Sequence, residues 1–121
     1  MANPTYVGDL SGDGSIISFT WALTTADPTG AYIDQTAWAD RTFTASGTWG
    51  GATCTIEGSN DGTNWMPLSD AAGAADATAA ANKAITVVEL TRYIRPNLTT
   101  VGVGATVTVT LVARKATPMR T

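Results

Sequence analysis

Along most of the chain, apolar and polar residues alternate one by one, in short runs. Ile17, Phe19, Trp21 and Leu23 alternate with Ser18, Thr20, Ala22 and Thr24. Phe43, Ala45 and Gly47 alternate with Thr42, Thr44, Ser46 and Thr48. Ala52, Cys54 and Ile56 alternate with Thr53, Thr55 and Glu57. The last run is the cleanest, with Ala105, Val107, Val109, Leu111 and Ala113 on one side and Thr106, Thr108 and Thr110 on the other. A period of two is the spacing of a strand that buries one face. Shorter strands are predicted around 31–36, over 85–90 and over 92–98, where Pro96 confines its strand to a sheet edge or marks a bulge.

The breaks between runs carry turn chemistry. Asp27-Pro28-Thr29-Gly30 sets φ with its proline and supplies glycine for a left-handed position. Gly50-Gly51 and Asn60-Asp61-Gly62 read as hairpin turns, because glycine and asparagine tolerate positive φ at low steric cost. Residues 41–68 therefore read as a β-meander with one Thr-rich, water-facing side, and its second turn delivers Trp65 into a third run. Residues 37–40 read as a connection. Residues 69–82 are rich in alanine but interrupted by Gly73, Asp70 and Asp76 and have no apolar stripe; they read as a long loop with one extended segment. Residues 1–15 read as a flexible arm, 16–114 as the folded domain and 115–121 as a flexible tail.

About seven or eight short strands with regular turn signals predict an all-β fold, an antiparallel β-sandwich or jelly roll with no substantial helix. A parallel sheet would need crossover helices, and no connection supplies one. At 121 residues the chain is one domain, long enough to bury roughly two-thirds of its unfolded surface. With 14% charged and 44% hydrophobic residues it is expected to fold. A net charge of −3 and a pI near 4.5 argue against a nucleic-acid partner, which needs clustered Lys and Arg. No run reaches membrane-spanning length, so no membrane partner is expected. The start lacks the basic and apolar regions of a signal peptide, and the single cysteine makes no intrachain disulfide; both fit synthesis and folding in a cytoplasm.

The chemistry is read mainly from what is missing. There is no histidine, which excludes Ser-His-Asp and Cys-His arrangements within one chain, and histidine-ligated metals with them. Cys54 falls mid-strand beside Ala52 and Ile56, the position of a small core residue rather than of an activated nucleophile. Glu57 and Glu89, with Asp61 and Asp70, are the carboxylates a glycoside hydrolase would need, but each has an ordinary structural place. The expectation is a protein that is not an enzyme and uses no cofactor. One metal pattern stands out: Asp9, Ser11 and Asp13, followed by Gly14, match the opening of an EF-hand loop. Its twelfth position is Thr20 rather than glutamate, so a solvated turn is the plainer reading and no metal is expected. Among the tryptophans, Trp21 reads as core and Trp65 as a hairpin anchor. Trp38 and Trp49, in or beside loops, are either lids on the core or contacts for a partner.

The run GTWGGATCTIEGSNDGTNWMPLSD, followed by RYIRP and a Gly-rich turn into a valine strand, resembles small structural proteins of tailed bacteriophages. The likeness falls on Gly47, Gly50, Gly51, Ala52, the 58–62 turn, Asn64, Trp65 and Arg92 to Pro96, and covers roughly residues 38–112. It implies a capsid decoration (cement) protein, or another virion-associated β-sandwich, whose partners are the major capsid protein and itself, as a dimer or trimer. The implied location is the outer capsid surface, after synthesis in the host cytoplasm. On that reading the arm and tail are clamps that order on binding, and Arg114, Lys115 and Arg120 pair with an acidic capsid surface. Three rivals remain: a tail or head–tail component, a glycan-binding virion module that stacks sugars on Trp38 and Trp49, and a small glycosidase or lyase acting through Glu57 and Glu89.

Overall fold

The computed structural model describes residues 7–10, 16–34, 38–70, 76–87 and 91–115. These form ten strands: β1 (Val7–Leu10), β2 (Ile16–Thr24), β3 (Ile33–Asp34), β4 (Trp38–Thr48), β5 (Thr53–Ser59), β6 (Met66–Pro67), β7 (Thr78–Ala79), β8 (Lys83–Thr86), β9 (Tyr93–Thr100) and β10 (Thr106–Lys115). One sheet has the order β1-β2-β10-β4-β8; the other runs β3-β9-β5-β6, with β7 also paired to β5. Neighbours pair antiparallel, and the architecture is the expected all-β sandwich, with no helix among the described residues.

The alternation seen in the sequence becomes the core. Phe19, Trp21, Leu23, Phe43, Val107, Val109 and Leu111 face inward from the first sheet, and Ile33, Cys54, Ile56, Ile94 and Leu98 from the second; all are buried. Trp21 stacks on Phe43 with ring centroids 6.4 Å apart, and its indole N–H donates to the Ala31 carbonyl at 2.9 Å. That bond satisfies the one polar atom of a fully buried ring and ties β2 to the start of the other sheet.

Four expectations are corrected. Gly50-Gly51 is not a hairpin turn but a corner between the sheets. β4 lies between β10 and β8, while β5 lies in the other sheet, so residues 41–68 are not one continuous meander. The corner needs glycine: Gly50 has φ 55°, and a Cβ there would lie 2.0 Å from the Val103 carbonyl oxygen. Residues 7–10, read as part of an arm, are strand β1, in register with β2 from Val7↔Thr20 to Leu10↔Ile17. Residues 38–40, read as a connection, begin β4.

Pro96, finally, is not on an outer strand, because β9 lies between β3 and β5. On one side it pairs with Ile56; on the other its carbonyl accepts from the Gly30 N–H at 2.9 Å. Its ring occupies the space a Cβ on Gly30 would need, 2.9 Å away. A proline is tolerated here because the chain alongside it is a short bridged segment rather than a full strand.

Candidate interaction surface

The second sheet turns a different set of residues outward. In β9, Ile94, Pro96 and Leu98 point inward, which puts Tyr93, Arg95 and Asn97 on the outside. Glu57 is the outward residue of β5 beside Arg95, in register across the ladder. The Arg95 Nε donates to Glu57 Oε1 at 3.0 Å, with side chains only 19% and 13% exposed. Such a pair is screened less than one in open solvent. Asn97 Nδ2 donates to Glu57 Oε2 at 3.4 Å, and Thr29 Oγ1 donates to Asn97 Oδ1 at 2.7 Å, so the network reaches the 28–30 segment.

Aromatic rings extend this network across the sheet. The Arg95 guanidinium lies over the Trp65 ring at 4.0 Å from its centroid. Tyr32 packs against Trp65 at 5.9 Å and meets Tyr93 edge-on at 5.0 Å. Arg92 lies 4.9 Å above the Tyr93 ring and pairs with Asp34 at 3.2 Å. Three rings, two guanidinium groups and two carboxylates thus form one connected surface, in which Tyr32 is 51% exposed.

The turn that delivers Trp65 is held by its own side chains. Ser59 Oγ accepts from the Gly62 N–H at 2.9 Å and donates to Asp61 Oδ1 at 2.9 Å. Asp61 Oδ1 also accepts from the Thr63 and Asn64 N–H groups, each at 2.8 Å, and Oδ2 accepts from Asn64 Nδ2 at 2.7 Å. Those donors, the backbone N–H groups foremost, hold the Asp61 carboxyl well below the usual carboxylate range. β5 then pairs with β6 through Glu57↔Pro67 and Gly58↔Met66, so Asn60, Asp61 and Gly62 form the expected hairpin turn. Asn60 Oδ1 accepts from the Arg92 N–H at 3.1 Å, which fastens the turn to β9. Beside the turn is an open cleft of about 460 Å³, bounded by Ser59, Asp61, Asn64, Met66, Leu68 and Thr91.

The residues singled out from sequence do not gather into one site. Trp49 sits at the inter-sheet corner, packed against the core, with its indole N–H donating to Asn82 Oδ1 at 2.9 Å. Its partly buried ring lies over the core, as a lid does. Trp38 starts β4 and Lys115 ends β10, at the opposite end of the sandwich from Trp49; their side chains lie outside the described ones. Arg114 is exposed opposite Ile16 and Ala39, and Arg120 lies outside the described residues. Asp9 belongs to β1 and pairs with Ser18, and Thr20 belongs to β2, so these ends of the EF-hand-like pattern are a strand ladder; Ser11 and Asp13 lie outside the described residues. No group of three or more potential metal-ligating side chains occurs among the described residues.

Cys54 is the core residue expected: burial, as the largest cause, pushes its thiol up to about 12. Glu57 is engaged by Arg95, and Glu89 lies outside the described residues. Arg41 was not anticipated. It is 3% exposed on the inward side of β4, donates from Nη1 to the Thr91 carbonyl at 3.2 Å, and is lowered to about 10 by burial. Its cue was available, since it falls in phase with Phe43 and Ala45.

No protein-family model and no curated protein matches the chain. Among the described residues no helix is long and apolar enough to cross a membrane.

Proposed function

We propose that this chain is a non-enzymatic virion structural protein. In the specific form of the proposal, it is a decoration protein that binds and stabilises the major capsid protein lattice of a tailed bacteriophage. It docks through the outer face of the β3-β9-β5 sheet. One observation carries the reading. The two segments on which the phage resemblance rests, the 58–65 turn and the 92–96 strand, come together in space and, with Tyr32 from just before β3, build the Trp65–Arg95–Tyr93–Tyr32 surface. Trp, Tyr and Arg dominate the energetics of protein interfaces: the two rings cover a large area with few rotatable bonds and keep a polar handle, and the Arg guanidinium is a planar fork of donors that stacks on such rings. Here they are ordered before any partner arrives, which lowers the entropy cost of binding.

The test is mass photometry and sedimentation of the purified protein, alone and mixed with empty capsids from its source. Co-migration at a fixed ratio to the shell protein is expected. Failure to bind capsids, together with binding to purified tails or connectors, would replace the decoration role with that of a tail or head–tail component.

A further inference from the structure

Hydrogen-bonding capacity on the outer face of the second sheet is lopsided. Its carboxylate and amide oxygens already accept bonds: both Asp34 oxygens from Arg92, the two Glu57 oxygens from Arg95 and Asn97, and Asn97 Oδ1 from Thr29. The donors are left over. Trp21 donates its indole N–H to Ala31 and Trp49 donates to Asn82. By contrast, the Trp65 indole N–H and the Tyr32 and Tyr93 hydroxyls meet no acceptor among the described residues. Arg95 uses only its Nε, on Glu57.

Such a face suits an occupant that brings acceptors and few donors. Charge does not select it, because the two guanidinium groups are each paired with a carboxylate. An ordinary extended peptide brings one N–H per residue, and the face of a sheet, unlike its edge, has no backbone carbonyls to receive them. A proline-rich segment brings almost none. Proline lacks the N–H, and the polyproline II helix has no internal hydrogen bonds, so its carbonyls stay open to outside donors. The rings point the same way. Tyr32 is tilted 37° to Trp65 and stands at 78° to Tyr93, so the three share no plane on which a run of sugars or bases could stack. Inclined rings instead offer ridges between which pyrrolidine rings, about three to a turn, pack.

We infer that the element this face receives is a proline-rich segment in polyproline II form, carried by the capsid protein, an assignment that rests on the docking face proposed above. The Trp65 indole and the two tyrosine hydroxyls donate to its carbonyls, and the rings cover its prolines. A segment already extended before it docks loses little chain entropy on binding.

The test uses the purified, isotope-labelled full-length chain and a capped oligoproline of about ten residues, roughly three turns of the helix. Gly-Ser and glutamate-rich peptides of the same length are the controls. In two-dimensional NMR the Trp65 indole N–H signal, identified by its loss in Trp65→Phe, should move saturably with oligoproline, with a Kd below about 1 mM. Neither control should move it. Tyr32→Phe keeps the ring and loses the hydroxyl; it should bind about three- to tenfold more weakly, with the rest of its spectrum like the parent's. No saturable shift by about 10 mM oligoproline would overturn the inference. So would equal affinity for either control, or undiminished affinity in Tyr32→Phe. Capsid binding is read separately. A chain that binds capsids and ignores oligoproline keeps the docking role and loses this partner. One that binds oligoproline and ignores capsids keeps the proline-rich partner and loses the docking role.

Discussion

Across the middle of the outside of the β1-β2-β10-β4-β8 sheet, away from the end with Ile16, Val112 and Arg114, the side chains are short. Thr20, Thr42, Thr44, Thr106, Thr108 and Thr110 stand in rows, and the contacts between them are single cross-strand pairs such as Thr20–Thr110 and Thr42–Thr86, each 3.3 Å between hydroxyl oxygens. On the outside of the β3-β9-β5 sheet the side chains are long, aromatic or charged, and each holds the next: Arg92 on Tyr93, Tyr93 on Tyr32, Tyr32 on Trp65, Trp65 under Arg95, Arg95 on Glu57. Both sheets bury their inner faces by the same alternation. The difference outside teaches that coupling between side chains is not spread evenly over this fold. One face is a set of solvated residues that can be replaced one at a time, and the other is a coupled surface that responds as a unit.

Substitutions can break or sharpen that comparison. The largest effect should ignore it: Trp21→Ala empties a fully buried site shared by both sheets and should cost about 3–5 kcal/mol in chemical denaturation. Glu57→Gln comes next. It leaves Arg95, which is mostly buried, without its counter-charge, and should cost about 1–3 kcal/mol. A loss under about 0.5 kcal/mol would mean that the second face is no more coupled than the first.

The Asp61 turn should contribute less, because its carboxylate is exposed and screened. The folded pKa lies below the unfolded one, so on acidification the unfolded chain takes up the proton first. The stability this group contributes is whole above about pH 4 and is lost as pH falls further toward the folded pKa. Urea midpoints followed from about pH 6 to about pH 2 should decline less steeply in Asp61→Asn than in the parent, and identical acid limbs would count against the turn's role. Smallest of all, Thr108→Val on the other face should change stability by no more than about 0.5 kcal/mol.

Much of this was legible in the chain. Alternation at period two located the long strands and most of their inward residues, because burial of one face leaves a direct trace in the sequence. The pairing of those strands was not legible. Gly-Gly between two alternating runs serves a hairpin and an inter-sheet corner equally well, and only the partners of β4 and β5 distinguish them. β1 was missed because four residues containing a glycine are too few to show a period. Pro96 misled because its tolerance depends on Gly30, distant in sequence. The same limit governs the surface. Tyr93 and Arg95 alternate visibly with Ile94 and Pro96, yet their meeting with Trp65 and Tyr32 follows from topology. Trp38 and Trp49 drew notice for lying near loops; they stand at the first residue of β4 and just past its last, in the other sheet.

The most direct test compares one substitution on each outer face for capsid occupancy. Tyr32→Asp alters the half-exposed ring at the centre of the coupled surface, and Thr108→Arg places a large charge on the other face. Both positions are exposed, so both variants should fold, as thermal denaturation can verify. The account expects Tyr32→Asp to lower capsid occupancy by about tenfold or more while Thr108→Arg binds like the parent. Equal occupancy by the two variants, or loss in Thr108→Arg alone, would contradict it.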